Sequence, residues 1–441
     1  MSENEFTKRS EKLQDFLEIT SRQAGRESGF VKRASKLTAA VFVKSLVLGL
    51  LEKGDASLSD MVQVSAKLGV NISESGLAQR MNEGAVKMLR ELVQVGIGQL
   101  GELVSQDNAL FKGFSAVNII DSTQVKLPES CAGWFRGNGK TTSKASAKIQ
   151  VCYEYLSGLF TALEIGNGRT PDQNCTLPVD LARPGSLTLV DLGYFKQGVL
   201  AAIDAAQAFF VTRFQTQTAL FWQAADQQQA DVITHIEQQG SDCGELTAYI
   251  GTKTRLKVRV IYQRLPAEQV ANKRRQAQRL AKKNKHACSA RHLRWLAWQV
   301  CITNVPVSRW AASQVLLVYR LRWQIELVFK LWKSHAKLTT LRAERPERVA
   351  CLLYAHLLAM LLFYWLIAPA HCDSLLTELS PVKAFKLFQK AVPSLIRRIA
   401  RDWRNVAKRL ARFYRDLARF AQKSKRRKKP STRQRLLAEG I

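Results

Sequence analysis

A stretch of fifteen residues, YRLRWQIELVFKLWK, carries four side chains suited to chemistry on a phosphate group. Tyr319, Arg322, Glu326 and Lys333 are separated by three, four and seven residues. At about 100° per residue, one continuous α-helix would place all four within an arc of roughly 60°. A carboxylate beside two cations and a phenol is suited to holding a metal ion while gripping a phosphate. The competing interpretation is a solvated face with an ordinary Arg322–Glu326 ion pair.

Two aspartates upstream favour the chemical interpretation. Asp121 follows the apolar run AVNII, and Asp191 follows the apolar run SLTLV. Each carboxylate is therefore expected at the carboxyl end of a buried strand, where open α/β sheets place their ligands. Between them, KIQVCYEYL and LFTALEIG predict two strands joined by a hairpin at Ser157–Gly158. A helix, GVLAAIDAAQA, and a further strand, FFVTRFQ, come after Asp191.

The opposite side of the Glu326 helix predicts docking against a core. Its apolar stripe consists of Leu317, Leu321, Ile325, Val328 and Trp332.

In this combination of motifs the chain resembles bacterial insertion-sequence transposases of the DDE type, in the insertion-sequence-four group. The residues that carry the resemblance are DST at Asp121, DLGYF at Asp191 and the Tyr-Arg-Glu-Lys motif from Tyr319 to Lys333. The resemblance covers about residues 111–340. It implies an α/β fold with an RNase H-like catalytic core and a metal-binding triad of Asp121, Asp191 and Glu326.

The implied cofactor is Mg²⁺, as two ions, with Mn²⁺ expected to substitute. Two such ions activate the attacking oxygen and neutralise the leaving oxygen in phosphoryl transfer, and hard cations prefer oxygen ligands. By resemblance, Tyr319, Arg322 and Lys333 would grip phosphates of the strand that is not cut.

Further candidate DNA contacts lie outside these motifs. Trp298 is the better positional match, ahead of Trp295, to a family aromatic residue that stacks on a flipped base, although both could simply pack the sheet. Arg213, on the strand FFVTRFQ, is a further candidate. Near the N-terminus, Leu58–Leu68 and a helix from Glu74 resemble a helix-turn-helix, with Ser73 as N-cap. Gln79 and Arg80 would then point outward to bases, unless the pair is only a helical hairpin.

The predicted organisation has an all-helical N-terminal DNA-end-binding domain (1–110) and a catalytic core in two parts (111–215 and 301–375). A β-rich insertion (216–300) would interrupt the core, because a hundred residues are too many for a loop. A helical C-terminal region with a basic tail (376–441) would complete the chain. Its apolar residues Leu395, Ile399, Trp403, Val406 and Leu410 could pair two protomers or pack on their own domain.

A net charge of +31 indicates a polyanionic partner. The excess is concentrated after Ala391, where 17 Lys or Arg stand against 3 Asp or Glu, and the run KSKRRKKP is expected to contact DNA non-specifically. No signal peptide is visible, and eight scattered cysteines indicate a reduced, cytoplasmic, nucleoid-associated protein. The uncharged segment 349–370 is long enough to span a bilayer, but a buried core helix is the preferred interpretation, with no membrane partner.

The resemblance thus implies a cut-and-paste DNA transposase. Its partners would be double-stranded DNA, both the terminal inverted repeats and the target, with a homodimer formed on DNA to bridge two ends. Two alternatives stay open: a metal-dependent nuclease without strand joining, and a non-catalytic DNA-binding regulator.

Overall fold

The computed structural model describes residues 3–33, 35–100, 109–139, 143–372 and 379–423. They form two compact units, each assembled from separate stretches of chain. The first unit takes the described residues of Met1–Asp107, Asp121–Thr170 and Gln324–Lys428, and the second those of Asn108–Ile120 and Pro171–Trp323. Helices and strands are both abundant, so the mixed α/β class predicted from the sequence is confirmed.

The α-helices of the described ranges are, in chain order, α1 (Glu3–Gln14), α2 (Ser21–Glu27), α3 (Ala39–Glu52), α4 (Leu58–Lys67), α5 (Glu74–Arg80), α6 (Glu83–Leu100), α7 (Leu177–Asp180), α8 (Gln197–Ala205), α9 (Val232–Gln238), α10 (Ala267–Lys283), α11 (Ala290–Trp295), α12 (Ala312–Tyr319), α13 (Trp323–Lys330), α14 (Pro346–Cys372), α15 (Pro381–Arg401) and α16 (Arg404–Phe420).

The strands are β1 (Val117–Lys126), β2 (Arg136–Gly139), β3 (Ser143–Glu154), β4 (Leu159–Asn167), β5 (Leu187–Val190), β6 (Phe209–Arg213), β7 (Leu220–Phe221), β8 (Cys243–Ile250), β9 (Leu256–Arg264) and β10 (Trp298–Thr303). Every strand predicted above is present. The basic segment between β9 and β10, for which no secondary structure was predicted, is the helix α10.

In the second unit, the first four residues of β1 lie parallel to β5, and β5 lies parallel to β6. The register pairs Ile120 with Val190. Strand β10 is antiparallel to both β6 and β9, and β8 and β7 follow in order. The strands inserted after β6 therefore extend the same sheet instead of building a separate one. They share a core with α8 and α9 that includes Ile203, Phe210 and Val260.

In the first unit, β3 and β4 form the predicted hairpin. Glu154 pairs with Leu159, and the turn between them contains Gly158 at φ +73°, a left-handed conformation that glycine adopts without strain. Strand β2 pairs with β3 at Arg136–Ala145 and Gly139–Ser143. The apolar helix α14 is enclosed by α3, α6 and β4, so this unit has a predominantly helical core.

The C-terminal apolar stripe lies inside the first unit. Leu395, Ile399, Val406 and Leu410 are at most 5% exposed, because α16 packs against α15 and α1. Of the two alternatives for this stripe, packing on its own unit is the arrangement seen in the structure. Apart from Lys423, the basic run KSKRRKKP lies outside the described residues.

Candidate active site

Asp191 is the point in the second unit where two separate sequence motifs meet. It follows the last residue of β5 and precedes a 3₁₀ turn, Leu192–Tyr194. The Tyr319 hydroxyl lies 3.2 Å from Asp191 Oδ1 and donates to it. The Nε atom of Arg322 lies 3.8 Å from the same oxygen. The Arg322 side chain is 15% exposed and that of Asp191 40%, so the carboxylate is held from one side and open to solvent on another.

Tyr319 is a protonated donor at this position. Its ring is buried, and burial, reinforced by the negative charge of Asp191, raises the pKa of the phenol well above its ordinary value. The guanidinium carbon of Arg213, at the end of β6, lies 5.9 Å from the centroid of the Tyr319 ring. The structure therefore brings four candidate residues of the second unit into one neighbourhood: Asp191, Arg213, Tyr319 and Arg322.

The helix that carries the Tyr-Arg-Glu-Lys motif is not a uniform α-helix. Helix α12 ends at Tyr319, a 3₁₀ turn covers Arg320–Arg322, α13 begins at Trp323, and a π-helical turn covers Leu331–His335. The 60° arc assumed one angular step per residue, so the expectation of a single regular face is wrong. Departures of this kind change the direction in which successive side chains point and are frequent at functional positions.

The apolar side of this segment matches its prediction. The five residues are between 0 and 5% exposed: Leu317, Leu321, Ile325, Val328 and Trp332. Their burial anchors the motif, because each side chain withdrawn from water stabilises the fold by about 1.5–3 kcal/mol.

The first unit contributes Asp121, Glu326 and Lys333. Asp121 lies in the middle of β1, which continues to Lys126, so the expectation that Asp121 stands at the carboxyl end of its strand is wrong. Its Oδ1 accepts the Ser122 backbone N–H at 2.8 Å. Glu326 is half-buried in the first turn of α13. Lys333 is half-buried in the π-helical turn, and burial lowers the pKa of its ammonium group. An ammonium group that has lost part of its hydration is well suited to bind a phosphate.

The carboxylates have the right chemistry for a hard divalent cation. Ile120 and Val190 are partners in adjacent parallel strands, and each is followed directly by an aspartate. In the described ranges, no three or more His, Cys, Asp or Glu side chains are grouped so that they could hold a metal. Asp191 instead faces Tyr319 and Arg322, both of which contact its Oδ1. The carboxylates therefore supply the oxygen ligands that a hard divalent cation prefers.

The two tryptophans near β10 are core residues. Trp298 is 8% exposed and packs edge-on against Tyr262, with ring centroids 5.8 Å apart. Trp295 is 6% exposed and lies beside Phe214. Both tryptophans therefore pack in the core, the alternative left open for them above. Base stacking by Trp298 would require it to leave this packing.

The N-terminal helix pair is present, with one difference. Ser73 caps α5 by accepting the Gly76 N–H, as predicted, and Gln79 is exposed. Arg80 does not point outward: its guanidinium carbon lies 4.3 Å from the Phe30 ring centroid, and its Nη2 donates to the Phe30 carbonyl. Phe30 was not identifiable as a partner, because fifty residues separate the two positions.

One exposed aromatic residue beside the motif was assigned no role from the sequence. Trp323 is 56% exposed and directly follows Arg322. The available signal was its position in the pattern, since Trp323 falls outside the buried apolar stripe.

Comparison with known proteins gives a consistent set of relatives. The family described as "Transposase DDE domain" matches residues 112–362. The chain is 28% identical to the transposase for insertion sequence element IS231F of Bacillus thuringiensis subsp. israelensis, over 95% of this chain and 94% of the relative. It is also 28% identical to the transposase for IS1151 of Clostridium perfringens, over 91% and 89%. The piggyBac transposase in a synaptic complex with hairpin DNA aligns over 91% of this chain and 84% of that structure, at 10% identity and a TM-score of 0.48.

Proposed function

The chain belongs to the DDE transposase family, as a bacterial insertion-sequence transposase, and from that premise we propose that Asp121, Asp191 and Glu326 are its catalytic triad. The enzyme cleaves DNA at the ends of its insertion sequence and joins the freed 3′-hydroxyl ends to target DNA. The observation that carries the assignment is the contact of Tyr319 and Arg322 with Asp191. It joins the DLGYF motif to the Tyr-Arg-Glu-Lys motif 128 residues further along the chain.

We further propose that the catalytic core is RNase H-like. In support, β1, β5 and β6 are consecutive parallel strands in the second unit, and β3 and β4 form an antiparallel pair in the first. A carboxylate follows the paired residues of β1 and β5, and the third is carried by a later helix, α13.

Asp121, Asp191 and Glu326 would hold two Mg²⁺ ions, or Mn²⁺ in their place. When bound, such ions supply charge neutralisation at the attacking and leaving oxygens of an in-line phosphoryl transfer. The protein's own groups do the positioning. Tyr319 donates to Asp191 and fixes the direction of its carboxylate, while Arg322 and Lys333 would bind phosphates of the uncut strand.

The triad is tested with purified protein and a supercoiled plasmid that carries both element ends. We expect joined products from wild type, and no cleavage from Asp121→Asn, Asp191→Asn or Glu326→Gln. DNA affinity should stay within about threefold, because most binding comes from phosphate contacts elsewhere on the surface. Asp180→Asn removes an exposed carboxylate of the second unit and serves as the control. Normal cleavage by a triad variant would exclude that residue, and nicking without joining would indicate a nuclease.

The phosphate role of Arg322 and Lys333 has close controls in the same segment. Arg320 and Lys330 are exposed residues of the same types. Arg322→Ala and Lys333→Ala should each lower end cleavage about 100-fold, because the strand is no longer positioned. Arg320→Ala and Lys330→Ala should change it by less than about threefold. Equal losses in both pairs would show that the effect is one of general charge.

DNA is the partner implied by the family, and we propose a homodimer on DNA and a cytoplasmic location where the chromosome is accessible. Paired cutting of two ends needs two active sites, since one chain carries one triad. Mixing Glu326→Gln with wild-type protomers should give complexes that cut one end only. Double-end cutting by a complex with the mass of one protomer would contradict this arrangement.

A further inference from the structure

Helix α10 is attached to the second unit by one narrow side. None of its seventeen residues is fully buried. The half-buried positions are Val270, Lys273, Ala277 and Ala281, at spacings of three and four residues. These four define a single stripe along the helix, which is the side that faces the protein.

The opposite side of α10 is basic. Arg275, Arg279, Lys282 and Lys283 are all exposed. At about 100° per residue they occupy an arc of roughly 100° whose centre is nearly opposite the half-buried stripe. We call these four residues the α10 basic face. They extend over about 12 Å of helix, a length along which duplex DNA carries about seven phosphate charges.

The α10 basic face lacks the acidic partners that two exposed arginines of this unit have. Arg264 and Arg291 are paired with Asp242 and Asp231 at 3.5 Å. Within the described ranges, no carboxylate lies within ion-pair distance of the four basic-face residues. The one acidic residue of the helix, Glu268, is in its first turn, at the end remote from them. Four exposed like charges repel each other, so the face favours a polyanion over solvent or a neutral surface.

Helix α10 shares its unit with part of the candidate active site. Lys273 lies on the half-buried stripe, and after burial the main influence that lowers its pKa is the charge of Arg213. Arg213 in turn lies over the Tyr319 ring, and Tyr319 donates to Asp191. Lys273, Arg213, Arg322 and Asp191 all belong to this unit.

We propose that the α10 basic face binds the phosphate backbone of duplex DNA, as a second DNA-contacting surface in the unit that holds Asp191 and Arg322. This proposal rests on the proposed function, because it supplies a second surface for the same substrate. The contact is independent of base sequence, since four cations opposite a packed stripe can recognise charge and spacing but carry no pattern of base readout.

The test is Arg279→Gln/Lys282→Gln in the full chain, with Arg264→Gln/Arg291→Gln as the matched control that removes two cations already paired with carboxylates. Binding to a duplex of arbitrary sequence is measured by fluorescence anisotropy from 50 to 300 mM salt. We expect the α10 variant to bind about 30-fold more weakly at 0.15 M salt, with the slope of log affinity against log salt reduced by about 1.8. The control should change either quantity little.

Equal salt slopes for wild type and the α10 variant would overturn the proposal. So would unchanged DNA binding together with lost self-association, which would assign the face to a protein partner. The proposed function is judged separately, by whether wild type joins element ends, since the α10 measurement uses binding alone and needs no cleavage.

Discussion

Helices α14 and α10 are opposite extremes of burial in the same chain. In α14, every residue from Val349 to Leu366 is at most 6% exposed, including the uncharged His356. In α10, no residue reaches that level of burial. The comparison shows that composition sets what a helix can contact, whereas the surrounding elements decide what it does contact.

Hydropathy alone does not determine whether α14 is a membrane-spanning helix or a buried core helix. Pro346–Ala370 is long and apolar enough to cross a membrane, and the most apolar part of it is wholly enclosed by the protein. The enclosing elements include α3 and α6, which are more than two hundred residues away in sequence. The preferred sequence interpretation, a buried core helix, therefore agrees with the packing.

The largest expected effect comes from opening a cavity in α14. Phe363 is fully buried and packs against Phe385 at 5.0 Å and Phe388 at 5.8 Å between ring centroids. Phe363→Ala should lower the free energy of unfolding by about 4 kcal/mol. Leu280→Ala, at an exposed position of α10, should change it by less than about 0.5 kcal/mol. Urea denaturation of both variants measures the contrast, and similar losses would mean that α10 is packed after all.

The next effect is a pH dependence carried by α14. His356 is buried, and burial lowers its pKa to about 4. As pH falls below about 6.5, His356 becomes protonated in the unfolded chain, whereas in the folded chain it stays neutral until about pH 4. Stability should therefore fall by about 3 kcal/mol between these values, on top of contributions from other groups. His356→Leu should remove this part of the dependence, and identical profiles for variant and wild type would contradict the assignment.

The smallest expected effect is the change in thermal midpoint caused by substitutions in α10. Arg279→Gln/Lys282→Gln should leave the thermal midpoint unchanged or slightly raised, because it relieves repulsion between exposed like charges without removing packed groups. Differential scanning calorimetry at low salt measures the shift. A clearly lowered midpoint would show that these side chains stabilise the fold, and their loss of DNA affinity would then need a different explanation.

Strands and helices with a strong local signal were predictable. The alternation and length of the apolar runs identified β1, β3, β4, β5 and β6, and glycine identified the hairpin turn. The basic segment that became α10 gave no such signal, since its packing stripe consists of one valine, two alanines and a lysine stem. The sequence also could not show that the inserted strands join β6, because pairing between β10 and β6 depends on a register set by tertiary contacts.

The candidate site also has some features that the sequence predicted and others that it could not predict. Residue types and spacing were enough to select Asp121, Asp191, Glu326 and the Tyr-Arg-Glu-Lys motif. They were not enough to show that Tyr319 and Arg322 contact Asp191, because Tyr319 and Asp191 are 128 positions apart in the sequence. Nor did they reveal the 3₁₀ and π turns, which replace the regular helix on which the arc of four residues was based.

The sequence by itself determined which side chains this protein carries: the carboxylates of Asp121, Asp191 and Glu326, the Tyr-Arg-Glu-Lys motif, a net charge of +31 and the apolar runs that become its strands. The tertiary structure decided which of the amphipathic and aromatic features are surfaces. It buried the C-terminal stripe and Trp298, turned Arg80 onto Phe30, and left the α10 basic face in solvent. The reason is that side-chain chemistry is a local property, whereas burial depends on partners that only the folded chain brings together.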